Sequence, residues 1–141
     1  MAYPGAVSGK PLLTVTALLE AGAGLALASF PSATVSLLLG APLETPAALT
    51  VGRIAGAALF ALAVASWLAR CDGDSRAARG VVGALVPYNL GAAVILGAAG
   101  IRSQTAGVAL WPVVVVHTAM AAWCVKSLLA PPGPRDVHYQ A

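Results

Sequence analysis

Four apolar segments, each long enough to cross a bilayer as a helix, take up most of this chain: residues 11–30, 49–69, 80–101 and 107–128. Each holds about 20 residues, which at about 1.5 Å of rise per residue covers a hydrocarbon layer of about 30 Å. That layer offers no water to backbone groups, so each segment must close its own hydrogen bonds as a helix. The expected fold is an all-α integral membrane protein, a four-transmembrane-helix bundle forming one domain over residues 1–130. Residues 131–141 would follow as an extended cytoplasmic tail, because Pro131-Pro132-Gly133-Pro134 opposes a helix.

The side-chain inventory fits lipid better than water. Hydrophobic residues make up 59% of the chain, above the roughly 45–50% of soluble domains, and only 9% are charged. The apolar mass is Ala, Val, Leu and Gly, which lets helices approach closely where no hydrophobic effect drives them together. A net charge of +3 and a pI near 9.2 raise the question of nucleic acid. The basic residues lie at chain ends and in loops, with no basic stripe interleaved with aromatics, so that class is excluded.

Orientation accounts for the basic residues instead. With the N-terminus cytoplasmic, that side carries Lys10, Arg70, Arg76, Arg79, Lys126 and Arg135, against Arg102 and Arg53 opposite. The positive-inside rule then places both termini in the cytoplasm, as a multi-pass protein of the cell's inner membrane. Trp67 and Trp123 fall near cytoplasmic ends of their spans, and Phe30 and Trp111 near external ones. Lys10 ahead of an apolar run, with Ala26-Leu27-Ala28 beyond, also has the form of a cleavable signal. Glu20 in the middle of that run argues for an uncleaved first span.

Residues 31–48 link the first two spans. Pro31 suits a first helical turn, Val35, Leu38 and Leu39 form an apolar face, and Gly40, Pro42 and Pro46 then interrupt. A short interfacial helix is expected there. The link Arg102-Ser103-Gln104-Thr105 is short, which makes spans three and four antiparallel neighbours.

Catalytic constellations are scarce. Cys71 and Cys124 match no metal spacing, and both fall near the reducing cytoplasmic face, where free thiols are the default. His117 and His138 are far apart in sequence. There is no Gly-rich phosphate loop, nucleophile elbow or carboxylate pair. The reading leans away from an enzyme and calls for no cofactor and no metal.

What remains is a set of polar residues at membrane depth. Glu20 is about the tenth residue of its span, where an acidic group costs ~3 kcal/mol on insertion scales. Thr16, Glu20 and Gly24 share a face, with Ala17 and Ala23 beside them, suited to face other helices. Arg53 lies nearer the external end of span two, in Gly52-Arg53-Ile54-Ala55-Gly56. It could snorkel to the headgroups or reach down to Glu20, and the GxxxG spacing permits close helix contact. Tyr88 and Asn89 follow Pro87, which takes away a backbone bond to Gly83 and should kink span three. His117 sits level with Glu20, so a Glu–His pair sharing a proton is one expectation. Trp111-Pro112 would kink span four further out. Glu20, Arg53, Tyr88, Asn89 and His117 are the candidate ligand or proton site if the spans turn them inward.

Two resemblances bear on these residues. Leu18-Leu19-Glu20-Ala21-Gly22-Ala23-Gly24 resembles the first helix of small multidrug-resistance transporters, over about 20 residues. That family has four short spans and a mid-membrane Glu that binds protons and cationic substrates in turn, which would imply that role for Glu20. Arg53 with Gly56, Tyr88-Asn89, and Trp111-Pro112 with His117 resemble small uncharacterised four-span bacterial membrane proteins. That likeness covers most of the chain and implies the fold without an activity.

The leading functional expectation is non-enzymatic: an accessory subunit of a membrane assembly, or a binder of a small apolar ligand such as a lipid or quinone. The alternative is a small proton-coupled transporter working through Glu20. The partners implied are the lipid bilayer and other membrane subunits or further copies of the chain, and no nucleic acid.

Overall fold

The computed structural model describes residues 9–72, 75–102 and 106–130. Gly73-Asp74, Ser103–Thr105 and the tail at 131–141 lie outside the described residues, and with them the expectation of an extended tail. Five helices follow one another, with no strand among the described residues: α1 Gly9–Ser29, α2 Pro31–Leu39, α3 Pro46–Ala69, α4 Arg76–Arg102 and α5 Leu110–Leu129. All but α2 are long and apolar enough to span a membrane. The chain is a multi-pass membrane protein.

The boundaries have local causes. Phe30 breaks helical geometry, Pro31 opens α2, and Gly40 ends it in the left-handed conformation at φ 75°, a backbone state that glycine adopts at little cost. Thr45 caps α3, its hydroxyl accepting from the Ala48 N–H at 3.1 Å, and Pro46 takes the first position, where no N–H is needed. Ser75 caps α4 in the same way, accepting from the Ala78 N–H at 3.0 Å. Starting at Arg76, α4 therefore begins one turn before the purely apolar run.

The prolines inside the third and fourth spans behave differently from each other. Pro87 lies within α4, and the helix continues through it. Pro112 is the third residue of α5. First-turn N–H groups have no helical acceptor, so a proline there removes no bond. The expected kink at Pro112 is accordingly replaced by a helix start.

The helices pack as two close pairs, α1 with α3 and α4 with α5. Glycines set the first pair. A Cβ on Gly24 would lie 2.7 Å from the Phe60 backbone nitrogen, and one on Gly56 would collide with that of Ala28. The GxxxG glycine at 56 thus meets a glycine of the first span, whereas a Cβ on Gly52 would lie 3.0 and 3.1 Å from the Pro31 and Leu43 side chains. The pairs meet along a thinner seam, where α1 touches both α4 and α5.

Contacts at opposite ends lock the α4–α5 pair and join its connecting link to α2. At one, Arg79 donates through Nη2 to the Leu128 carbonyl at 3.0 Å, above an apolar core that includes Leu12, Leu13, Val82, Leu85 and Cys124. At the other, the backbone N–H groups of Gly107 and Ala109 donate to the Leu38 and Leu37 carbonyls at 3.1 and 3.0 Å. They satisfy the open C-terminal carbonyls of α2. Elsewhere the outside is apolar: Leu18, Val51, Ile54, Val94, Ile95 and Val115 are all more than 60% exposed. In water such a surface would aggregate; in lipid it is the expected one.

Candidate functional site

The seam between the pairs is where the polar residues of separate spans come together. Glu20 sits on α1 at 6% exposure and Asn89 on α4 at 2%. The Tyr88 hydroxyl donates to Glu20 Oε2 at 2.8 Å, across from α4 to α1. Asn89 Oδ1 and His117 Nδ1 are 2.9 Å apart, joining α4 to α5. The Tyr88 and His117 rings meet edge to face, centroids 5.6 Å apart and planes at 81°. Two hydrogen-bonded pairs, Glu20–Tyr88 and Asn89–His117, are thus joined by a ring contact across three helices.

The adjacency of Tyr88 and Asn89 makes this possible. Successive residues on a helix differ by about 100° in direction, so one reaches towards α1 while the next reaches α5. The pairing differs from the Glu–His contact that equal depth suggested: Glu20 takes the tyrosine and His117 takes the asparagine. Arg53 is absent from the group. It is exposed on α3, beside the buried glycines, and makes no ion pair with Glu20 among the described residues.

The orientation of the Asn89 amide fixes the imidazole proton. Asn89 Nδ2 donates to the Leu85 carbonyl at 2.8 Å, and a carbonyl can only accept. Flipping the amide would set its oxygen against that carbonyl oxygen. Oδ1 therefore faces His117, and Nδ1 must carry the hydrogen that it donates. In the neutral ring the lone pair is then on Nε2.

Beside these residues is a cavity of about 170 Å³ between α1 and the α4–α5 pair. Its polar wall is Thr16, Glu20, Asn89 and His117, and Val113 and Met120 complete the interior. Leu19, Ala23 and Val116 also line it and are themselves exposed, so it opens sideways towards the acyl chains. Thr16 Oγ1 is buried with no hydrogen-bond partner. Most buried hydroxyls find a partner, and a helical threonine readily uses the carbonyl four residues back, as Thr14 and Thr118 do.

The residues that sequence reasoning left out are Met120 and the valines of α5, which carried no signal beyond being apolar. Thr16 was visible only as a neighbour of Glu20. Among the described residues no group of three metal-ligating side chains comes together. Cys71 is exposed and Cys124 buried, both as free thiols. In comparisons with known proteins, no family model, no curated protein and no solved structure matches this chain.

Proposed function

We propose that this protein holds a small apolar ligand, a lipid or quinone with one polar end, in the cavity on the seam between its helix pairs. The observation that carries this is the cavity wall: apolar side chains around one carboxyl, one amide, one imidazole and one unpartnered hydroxyl. A dry apolar cavity of about 150 Å³ accommodates a benzene ring, so 170 Å³ suits a ring-sized head. The sideways opening favours a molecule arriving from the bilayer over one arriving from water. The proposed setting is the inner membrane with both termini cytoplasmic, alone or as an accessory subunit of a larger membrane assembly. Quantifying lipid and quinone co-purified with wild type and with His117→Ala tests this; lower content in the variant is expected. Equal content would remove the ligand reading.

A second reading, a small proton-coupled transporter, draws on the Tyr88–Glu20 bond. It crosses between two helix pairs, and a carboxyl at such a seam could exchange a proton for a cation as the pairs rock. Glu20→Gln would then abolish pH-driven uptake or efflux in vesicles. Unchanged transport in that variant would exclude it.

A further inference from the structure

We propose that the cavity selects the hydroxyl-bearing, hydrogen-bond-donating form of a ring lipid, a hydroquinone or phenol, over the carbonyl form of the same ring. This rests on the ligand-binding reading above and adds the chemical polarity of the ligand. The argument is a census of donors and acceptors on the cavity wall.

Two donors near the cavity are committed to protein acceptors, while the second Asn89 Nδ2–H is not. The Tyr88 hydroxyl donates to Glu20 Oε2, and an Asn89 Nδ2–H donates to the Leu85 carbonyl. That second bond forces His117 to spend its Nδ1–H on Asn89 Oδ1. The ring nitrogen left over, Nε2, is an acceptor with no hydrogen to give. Glu20 adds carboxyl oxygens, which accept when ionised; protonated, the group keeps an accepting carbonyl oxygen and gains one O–H donor. The remaining wall group is Thr16, whose hydroxyl is buried and unpartnered and can donate to or accept from an oxygen.

A hydroquinone hydroxyl both donates and accepts. It can give its hydrogen to Nε2 or to the Glu20 carboxyl while its oxygen takes the Thr16 hydrogen. A quinone carbonyl only accepts, so it can use the Thr16 hydroxyl or another uncommitted wall N–H or O–H, but it has no hydrogen to give Nε2 and sets its lone pairs against it. An acceptor that a bound ligand shuts off from other partners and leaves unpaired costs more than the average worth of a bond made. Asn89 is here a positioning residue: it acts on the ligand through the tautomer of His117.

The test is equilibrium dialysis, under anaerobic conditions, of tert-butylhydroquinone and tert-butylbenzoquinone against the full chain in lipid nanodiscs. The hydroquinone should bind about tenfold tighter, the worth of one hydrogen bond made against one denied. Asn89→Leu frees the ring to move its proton, and the preference should fall towards equality. Should that variant not fold, the ¹⁵N spectrum of histidine-labelled His138→Ala protein reports the wild-type tautomer directly. A protonated Nδ1 and a bare Nε2 are expected. Equal or quinone-favouring affinity, or a protonated Nε2, overturns the inference and leaves the ligand reading standing. Binding of neither probe overturns the inference; failure of the ligand reading itself appears separately, as unchanged co-purified content in His117→Ala.

Discussion

Glu20 of the first span and Tyr88 of the third are bonded at 2.8 Å, hydroxyl to carboxyl, across a seam that otherwise holds few contacts. Glu20 is 6% exposed, so its carboxyl has little access to water with which to replace that donor. Tyr88→Phe keeps the ring against His117 and removes only the hydroxyl. It should destabilise the bundle by about 1–2 kcal/mol, measured by thermal or denaturant unfolding in detergent. Glu20→Gln keeps an acceptor and should cost less than Glu20→Ala. Combining Tyr88→Phe with Glu20→Leu removes both polar partners and should recover part of the loss.

Gly56 and Gly22 make a matched pair of tests for the close α1–α3 contact. A methyl on Gly56 would strike the Ala28 backbone, which cannot yield as a flexible side chain could, while one on Gly22 meets nothing within 4 Å. Gly56→Ala should lower stability by about 1–3 kcal/mol through overpacking, and Gly22→Ala should change it by less than about 0.5 kcal/mol. Equal melting temperatures for the two variants would contradict the crossing point.

How much of this was readable beforehand follows from what each signal depends on. Span number and approximate limits come from hydropathy and length, which the bilayer itself enforces, and the helices appear where those runs lie. Glu20, Tyr88, Asn89 and His117 stood out because polar groups at that depth are rare. Their partners could not be read, since the rotation of each helix about its axis is decided by packing. Arg53 and Gly52 are neighbours in sequence, yet one is exposed and the other buried. Likewise Gly56 found Gly24 among 15 glycines, a choice made by backbone approach in three dimensions. Pro112 looked like a kink because helix starts are hard to place to within a turn.

Thr16 separates stability from binding. Its hydroxyl is buried without a partner, so the fold carries the cost of desolvating it and gains no bond in return. Thr16→Val should therefore be neutral or stabilising by about 1 kcal/mol in ligand-free protein. The same variant should retain less co-purified ligand, because the cavity loses a hydroxyl that ligand oxygens would use. A variant that melts higher and still holds wild-type ligand content would take Thr16 out of the site.

Gly107 is the point where the link between the last two spans rests on α2. A Cβ there would collide with the Leu37 carbonyl, and the N–H donates to Leu38. Gly107→Ala should push the link off α2 and free the Leu37 and Leu38 carbonyls together. Faster amide exchange at Gly107 and Ala109, with the spans unaffected, is the expected signature. Protection equal to wild type would mean that the link bears on α2 less closely than the contact implies.

Cys71 and Cys124 together report both the fold and its direction in the membrane. Cys71 lies just past the end of α3 and is exposed, whereas Cys124 is fully buried in the core near the same end. An even number of spans puts that end on the side of both termini, and five of the seven Lys and Arg among the described residues lie there. In the orientation proposed from the positive-inside rule, it is the cytoplasmic side. A membrane-impermeant maleimide should leave Cys71 unlabelled in intact cells and label it in inside-out vesicles. Cys124 should react in neither, and only after denaturation in detergent. Labelling of Cys71 from outside would reverse the orientation while leaving the bundle intact. Ready labelling of Cys124 in the folded protein would instead deny the packing of α5 against α1 and α4 on which the cavity depends.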